Sequence, residues 1–240
     1  MLTNHYLLPN ECGKRILYTY IRKNACSSFK RYMYFRLTDP SGVGLAKYRE
    51  LKIDPKGFDL SDLDVSIFVY RDPVDRVIST FVNKFVEGRG ASDIYARMHI
   101  ADDDAVKKHT FGGFVNYVMS TRDFRELDPH LWPQAAHLIE IEYTHPISMD
   151  RLHEQMSQFL APGSADAFSG RANASGGNGQ LFEGDLSTAT VADIQGLISD
   201  GKRVSKTNFR TAQLVEALEA RYEQDVAMIK RIQEGFRAPG

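Results

Sequence analysis

Apolar residues along this chain change period several times, and each change marks an element. "RILYTYI" (15–21) is a run of β-branched and aromatic residues bounded by Gly13 and by charge, which predicts a strand. "SSFKRYMYFRL" (27–37) places apolar residues at 29, 32, 33 and 37, the spacing of one helix face. "DPSGVG" (39–44) is loop by its proline and glycines. "VSIFVY" (65–70) predicts a second buried strand. "RDPVDRVISTFVNKFV" then opens a helix, with Asp72 at the N-cap, Pro73 at the first helical position and Asp75 at N3.

Beyond these, 87–110 is polar and acidic in its middle and reads as loop with short helix, and "FGGFVNYVMS" (111–120) has helical spacing. "AAHLIEIEY" (135–143) predicts a third strand, and "SMDRLHEQMSQFL" (148–160) a helix capped by Ser148. The stretch 161–180 is rich in Gly, Ala and Ser and reads as a long loop. The segment 187–199 and a long helix over roughly 210–235 complete the pattern. Two strand–turn–helix units predict an α/β fold: a parallel sheet with helices on both faces and a site at the carboxyl ends of the strands. No repeat or boundary interrupts the chain, so 1–240 reads as one domain, with an insertion around 87–128.

Composition narrows the chemistry. With 42% hydrophobic and 25% charged residues, the 240-residue chain can bury a core. A formal net charge of −1 argues against a general nucleic-acid binder or a polybasic membrane protein, so any anion site must be local. Two cysteines, Cys12 and Cys26, make neither a disulfide framework nor a metal set, which fits a reducing, cytoplasmic compartment. No signal-peptide pattern and no membrane span are expected.

Both predicted turns carry charge. After the first strand, Lys23 is followed by Asn24, Ala25, Cys26, Ser27 and Ser28, and then by a helix containing Phe29 and Lys30. A helix N-terminus offers backbone N–H groups and the positive end of a dipole, and small residues let an anion approach them. The triphosphate loop is a poor match, because its lysine follows its glycines and its partner strand offers an aspartate to magnesium, where this chain has Tyr70-Arg71. The same residues also fit an ordinary connection with a serine cap and exposed cations, and Cys26 alone fits a small, half-buried thiol. At the second turn Arg71 ends the strand and Ser79 lies two turns into the helix, on the face shared by Arg76. If the strands are neighbours, Arg71 and Ser79 can serve one phosphate. Alternatively Asp72-Pro73 simply caps the helix and Arg71 pairs with a carboxylate.

Taken together, "KNACSS" and "RDPVDRVIS" resemble the paired signatures of sulfotransferases that use 3′-phosphoadenosine 5′-phosphosulfate, most closely bacterial relatives of the carbohydrate sulfotransferases. "DPHLWPQ" (128–134) is similar to the family's His-Trp-x-Pro-Gln stretch with Leu131 and Trp132 in swapped order. "RANAS" (171–175) and "RYEQD" (221–225) resemble its Asn-x-Ser loop and its closing Tyr-x-x-Asp. The resemblance implies a P-loop-like fold and a cradle of residues 23–30 around the 5′-phosphosulfate. It also implies Arg71 and Ser79 on the 3′-phosphate, and Asn173 and Ser175 near the nucleotide. Lys23 would neutralise the leaving phosphate, and no metal is expected. Of the seven histidines, His130 is the candidate base, oriented by Asp128, with packing beside Trp132 as its alternative role. The acceptor would be a small molecule or glycan. A nucleotide-dependent phosphoryl-transfer enzyme and a catalytically silent nucleotide-binding protein remain rival readings.

Overall fold

The first two strands read from apolar runs are present, as β2 (Ile16–Tyr20) and β4 (Val65–Tyr70). With them stand β1 (Asn4–Leu7), β3 (Lys52–Ile53), β5 (Glu142–Tyr143) and β6 (His145–Ser148), besides three further two-residue strands among the described residues. The computed structural model describes residues 4–9, 13–37, 48–169, 179–235 and 238–239. The loop expected at 39–44 lies outside the described residues, as does most of the segment around 171–175. The chain divides into two units: Met1–Arg71 with Gln134–Ala172 and Ala227–Gly240, and Asp72–Pro133 with Asn173–Val226.

The first unit is built on a five-stranded sheet in the order β3-β1-β2-β4-β6. β2 and β4 are parallel neighbours, paired from Ile16↔Val65 to Thr19↔Phe68, and β4 and β6 are parallel from Ile67↔His145 to Tyr70↔Ser148. β1 runs antiparallel to both β2 and β3, so the wholly parallel sheet expected from the sequence is corrected to a mixed one. The link from Leu7 to Ile16 is too short for the crossover that a parallel neighbour requires. Alternate residues of β4 face opposite ways. Ile67 and Val69 pack with Phe29 and Met33 of helix α1 (Cys26–Leu37) and with Leu152 and Met156. Phe68 packs with Tyr143 and Met228, with Ile229 and Ile232 alongside. Helices therefore cover both faces of the sheet.

Three further expectations need correction in this unit. The strand predicted at 135–143 is instead a 3-10 turn (Gln134–His137) followed by the two-residue β5, and the third parallel strand is β6. β6 contains Pro146, which the sheet edge tolerates because the missing N–H needs no partner on the outer side. The predicted helix 148–160 is a 3-10 turn, Met149–Arg151, and a short helix, Leu152–Met156. Ser148 makes no side-chain cap, and its N–H donates to Gln155 Oε1 at 3.0 Å. The loop predicted from 161 contains a 3-10 helix, Ser164–Phe168, which buries Phe168 against Phe29.

The second unit is mostly helical. Helix α2 (Pro73–Phe81) starts as the sequence predicts, with the Asp72 carboxylate accepting from Asp75 N–H at 2.8 Å, and passes into a π-helical turn, Val82–Val86. Its apolar face joins Phe85, Phe111, Phe114 and Phe209 in an aromatic core. The helix expected at 111–120 spans Phe111–Ser120. The single closing helix expected over 210–235 is two, Ala212–Arg221 and Glu223–Gln233. The break falls at Tyr222 (φ −109°, ψ 33°), whose buried hydroxyl donates to Leu131 O at 2.7 Å. Among the described residues, no helix is long and apolar enough to cross a membrane.

Candidate functional site

β2 and β4 are neighbours, so the turns that leave their carboxyl ends are neighbours too. The first turn is strained: Lys23 (φ 70°) and Ala25 (φ 58°) both adopt left-handed backbone, which costs about 1–2 kcal/mol per L-residue. Between them the Asn24 N–H turns back to Ile21 O at 3.1 Å, and the chain then enters the N-terminus of α1, where backbone N–H groups favour an anion. Such strain persists only where surrounding structure over-determines it, and it concentrates at functional sites.

The restraints are specific. Asn24, fully buried between the two left-handed residues, donates from Nδ2 to Val69 O (2.7 Å) and to Gln134 Oε1 (2.6 Å). This leaves its own Oδ1 buried without a partner, a cost of about 1–3 kcal/mol. Arg71 Nη1 donates to the Lys23 carbonyl at 3.2 Å. Gln134, also fully buried, binds the Arg71 backbone on both sides, accepting from its N–H (3.0 Å) and donating to its C=O (2.9 Å).

Helix α1 then begins at Cys26, half-buried, with Ser27 exposed and Ser28 buried. Ser28 and Phe29 N–H both return to Ala25 O, closing the first turn of the helix. Phe29 faces the core, with its ring stacked on Tyr18 at 3.7 Å, so only its backbone belongs to the turn. Burial, reinforced by the neighbouring Cys26 thiol, raises the Tyr20 hydroxyl well above its ordinary pKa. Tyr20 therefore stays neutral beneath the turn, and exposed Lys30 lies over its ring at 5.3 Å.

In the second unit, Ser79 is half-buried on α2. Its helix neighbour Arg76 is buried and donates to Trp132 O at 2.6 Å, which assigns it to anchoring the 128–133 segment. In that segment Asp128, itself buried, accepts from His130 N–H at 2.8 Å and holds His130 Nδ1 at 2.5 Å. The Asp128 carboxylate thus fixes the orientation of the His130 ring through both its backbone and its Nδ1 edge. Trp132 Nε1 donates to Leu127 O at 2.8 Å, which fixes the other end of the segment. Tyr222 of the 221–225 segment is buried and donates an internal hydrogen bond to Leu131 O. Asn173 and Ser175 lie outside the described residues. Among the described residues, no cluster of three or more His, Cys, Asp or Glu gathers to hold a metal.

The structure thus brings residues 22–30 and Arg71 to one place. The sequence reading assigned no role to Gln134, the residue that ties them together. Its only signal was membership of "DPHLWPQ", while its partner Asn24 lies 110 residues away. A sulfotransferase family model matches residues 11–229, a span that holds both turns and the 128–134 segment. No curated protein and no solved structure matches the chain. On that near-complete match, the chain belongs to the sulfotransferase family.

Proposed function

We propose that the chain transfers a sulfuryl group from 3′-phosphoadenosine 5′-phosphosulfate to a hydroxyl of a carbohydrate or related metabolite, as a single catalytic domain in which 87–128 shapes the acceptor side. The observation that carries this reading is the left-handed turn at Lys23 and Ala25, restrained by Arg71 at the ends of two parallel strands. Its small residues, followed by a helix N-terminus, suit the donor's phosphosulfate, whereas β4 ends in Tyr70-Arg71 where a magnesium nucleotidase offers an aspartate, and the next acid, Asp72, is engaged as the cap of α2.

The donor brings the activated sulfuryl group and leaves as adenosine 3′,5′-bisphosphate. The chain's own residues position and neutralise. Lys23 stabilises charge that develops on the bridging oxygen as the bond to sulfur breaks. Backbone N–H groups of Ala25 and Cys26, with the Ser27 and Ser28 hydroxyls, hold the 5′-phosphate, and Lys30 assists from the first helical turn. Arg71 and Ser79 grip the 3′-phosphate and set the donor's register, with Asn173 and Ser175 near the nucleotide. His130, oriented by Asp128, takes the acceptor's proton at Nε2, a contribution of about 10²–10⁴ in rate.

Calorimetric titration with adenosine 3′,5′-bisphosphate, with ATP and magnesium as the control, tests the donor assignment. Saturable heat with the bisphosphate supports it. Heat with ATP and magnesium alone points to phosphoryl transfer. Bisphosphate binding without turnover on any glycan or small hydroxylated acceptor points to a silent binding protein.

A further inference from the structure

The geometry points to Gln134 as a positioning residue that locks the Lys23 turn and Arg71 into one register; the inference rests on the sulfotransferase reading above. The pairing of β4 with β6 ends at Tyr70↔Ser148, so the Arg71 backbone lies beyond the ladder. Gln134 takes the place of the missing strand there. One carboxamide pairs with both the N–H and the C=O of Arg71, as an adjacent residue in a sheet would. Its oxygen has a second lone pair, which accepts from Asn24 Nδ2.

That second bond fixes the first turn. Asn24 sits between Lys23 and Ala25, so holding its side chain to Gln134 and Val69 O holds the peptide planes on both sides in their left-handed setting. Arg71 closes the loop through Nη1 to Lys23 O. The circuit runs Gln134 to Asn24 to the Lys23 turn to Arg71 and back to Gln134. Neither Gln134 nor Asn24 is exposed, so neither needs to touch the donor to determine where Lys23 and Arg71 meet it. The demand is for an amide in particular. Leucine would leave Arg71 N–H and C=O without their partner, and glutamate keeps the acceptor but turns the Nε2 donor into a second acceptor against Arg71 O.

The experiment uses the full chain with Gln134→Leu and Gln134→Glu, each measured well below its melting transition so that only folded protein is read. Three readouts are taken: bisphosphate affinity by calorimetry, turnover with the phosphosulfate donor, and amide hydrogen exchange of unliganded protein at residues 22–26 and 71. Gln134→Leu is expected to lower turnover by about 10²-fold, the scale of a displacement of roughly 1 Å in reacting groups. It should also weaken bisphosphate binding and speed exchange at 22–26 and 71, while the β2 and β4 amides stay protected. Gln134→Glu should bind weakly at high pH and recover toward wild type as the pH is lowered and the carboxyl regains a proton to donate to Arg71 O. Wild type should show no such recovery.

Wild-type affinity and exchange in both folded variants would overturn the role of Gln134 and leave the donor assignment standing. Failure of wild type itself to bind the bisphosphate would overturn the donor assignment and donor positioning together. In that event, unchanged exchange at 22–26 and 71 in the variants would overturn the locking of the turn as well, and faster exchange would uphold it.

Discussion

The two turns that leave β2 and β4 do the same topological job by opposite means. After β4 the helix start is written locally, although Arg71 before it is held by Gln134: Asp72 caps, Pro73 pre-sets the first helical φ, and Asp75 N–H closes the cap within three residues. The turn after β2 has a local bond of its own, Asn24 N–H to Ile21 O, but no side-chain cap. It places Lys23 and Ala25 in left-handed backbone without a glycine, and its side-chain restraints come from Val69, Arg71 and Gln134. A turn that only reverses or redirects a chain can be stabilised by its own residues. A turn that holds two L-residues in left-handed backbone is over-determined by contacts from a distance.

The largest expected effect separates chemistry from architecture at the first turn. Lys23→Ala keeps the same left-handed penalty and the same carbonyl for Arg71, so thermal unfolding should barely change. Turnover should fall by about 10³-fold through loss of charge stabilisation in the transition state. Turnover within a few-fold of wild type would remove Lys23 from the mechanism. Arg71→Ala should act differently, weakening bisphosphate affinity and loosening the Lys23 carbonyl as well.

Next in size is a pH effect confined to the strands beneath the first turn. His5 on β1 is buried, its Nδ1 pairs with Thr19 Oγ1 at 3.0 Å, and Thr19 in turn pairs with Tyr143 at 2.7 Å. Burial, with a smaller push from Lys52, lowers the His5 pKa from 6.5 to about 4. In the unfolded chain His5 protonates as pH falls through 6.5, while the folded chain resists until about 4. Stability is therefore intact above pH 6.5 and is lost between there and about 4, by about 3 kcal/mol in all. Urea unfolding of His5→Gln should lack this acid-side slope, and an identical slope in both proteins would place the titration elsewhere. The locally capped turn offers a smaller lever: Asp72→Ala should cost about 1 kcal/mol of stability.

What the sequence disclosed follows the same division. β2, β4, α1, α2 and the helix Phe111–Ser120 announce themselves because their period and caps are local. β1 has only four residues and gains its identity by pairing with β2. The apolar residues Leu138, Ile139 and Ile141 suggested a strand, but they are apolar because they pack beside Ile21, Phe68 and Tyr143. The closing helix breaks at Tyr222, where its hydroxyl reaches Leu131, a contact 91 residues distant in sequence. Within the site, the charged and small residues were legible by type. Their conformations were not, because no local pattern encodes left-handed Lys23 and Ala25, and the buried amide that restrains them is Gln134.

The smallest effect tests that distinction most directly, by one substitution at two positions. Ala217 lies inside the helix Ala212–Arg221, where replacing alanine by glycine should cost about 1 kcal/mol, because glycine gives up more backbone freedom on folding. Ala25→Gly pays the same unfolded-state entropy of about 0.4–1 kcal/mol, but it also relieves a left-handed residue, worth about 1–2 kcal/mol. Ala25 packs its methyl against the Tyr18–Phe29 core, which offsets part of that relief. The net change at Ala25 should therefore lie within about 0.5 kcal/mol of zero, while Ala217→Gly shifts the urea midpoint clearly downward. Equal losses at the two sites would mean that Ala25 is not left-handed in solution. With stability preserved, a fall in turnover for Ala25→Gly would mean that the proposed placement of the Lys23 ammonium depends on a stiff turn, and unchanged turnover would mean that it does not.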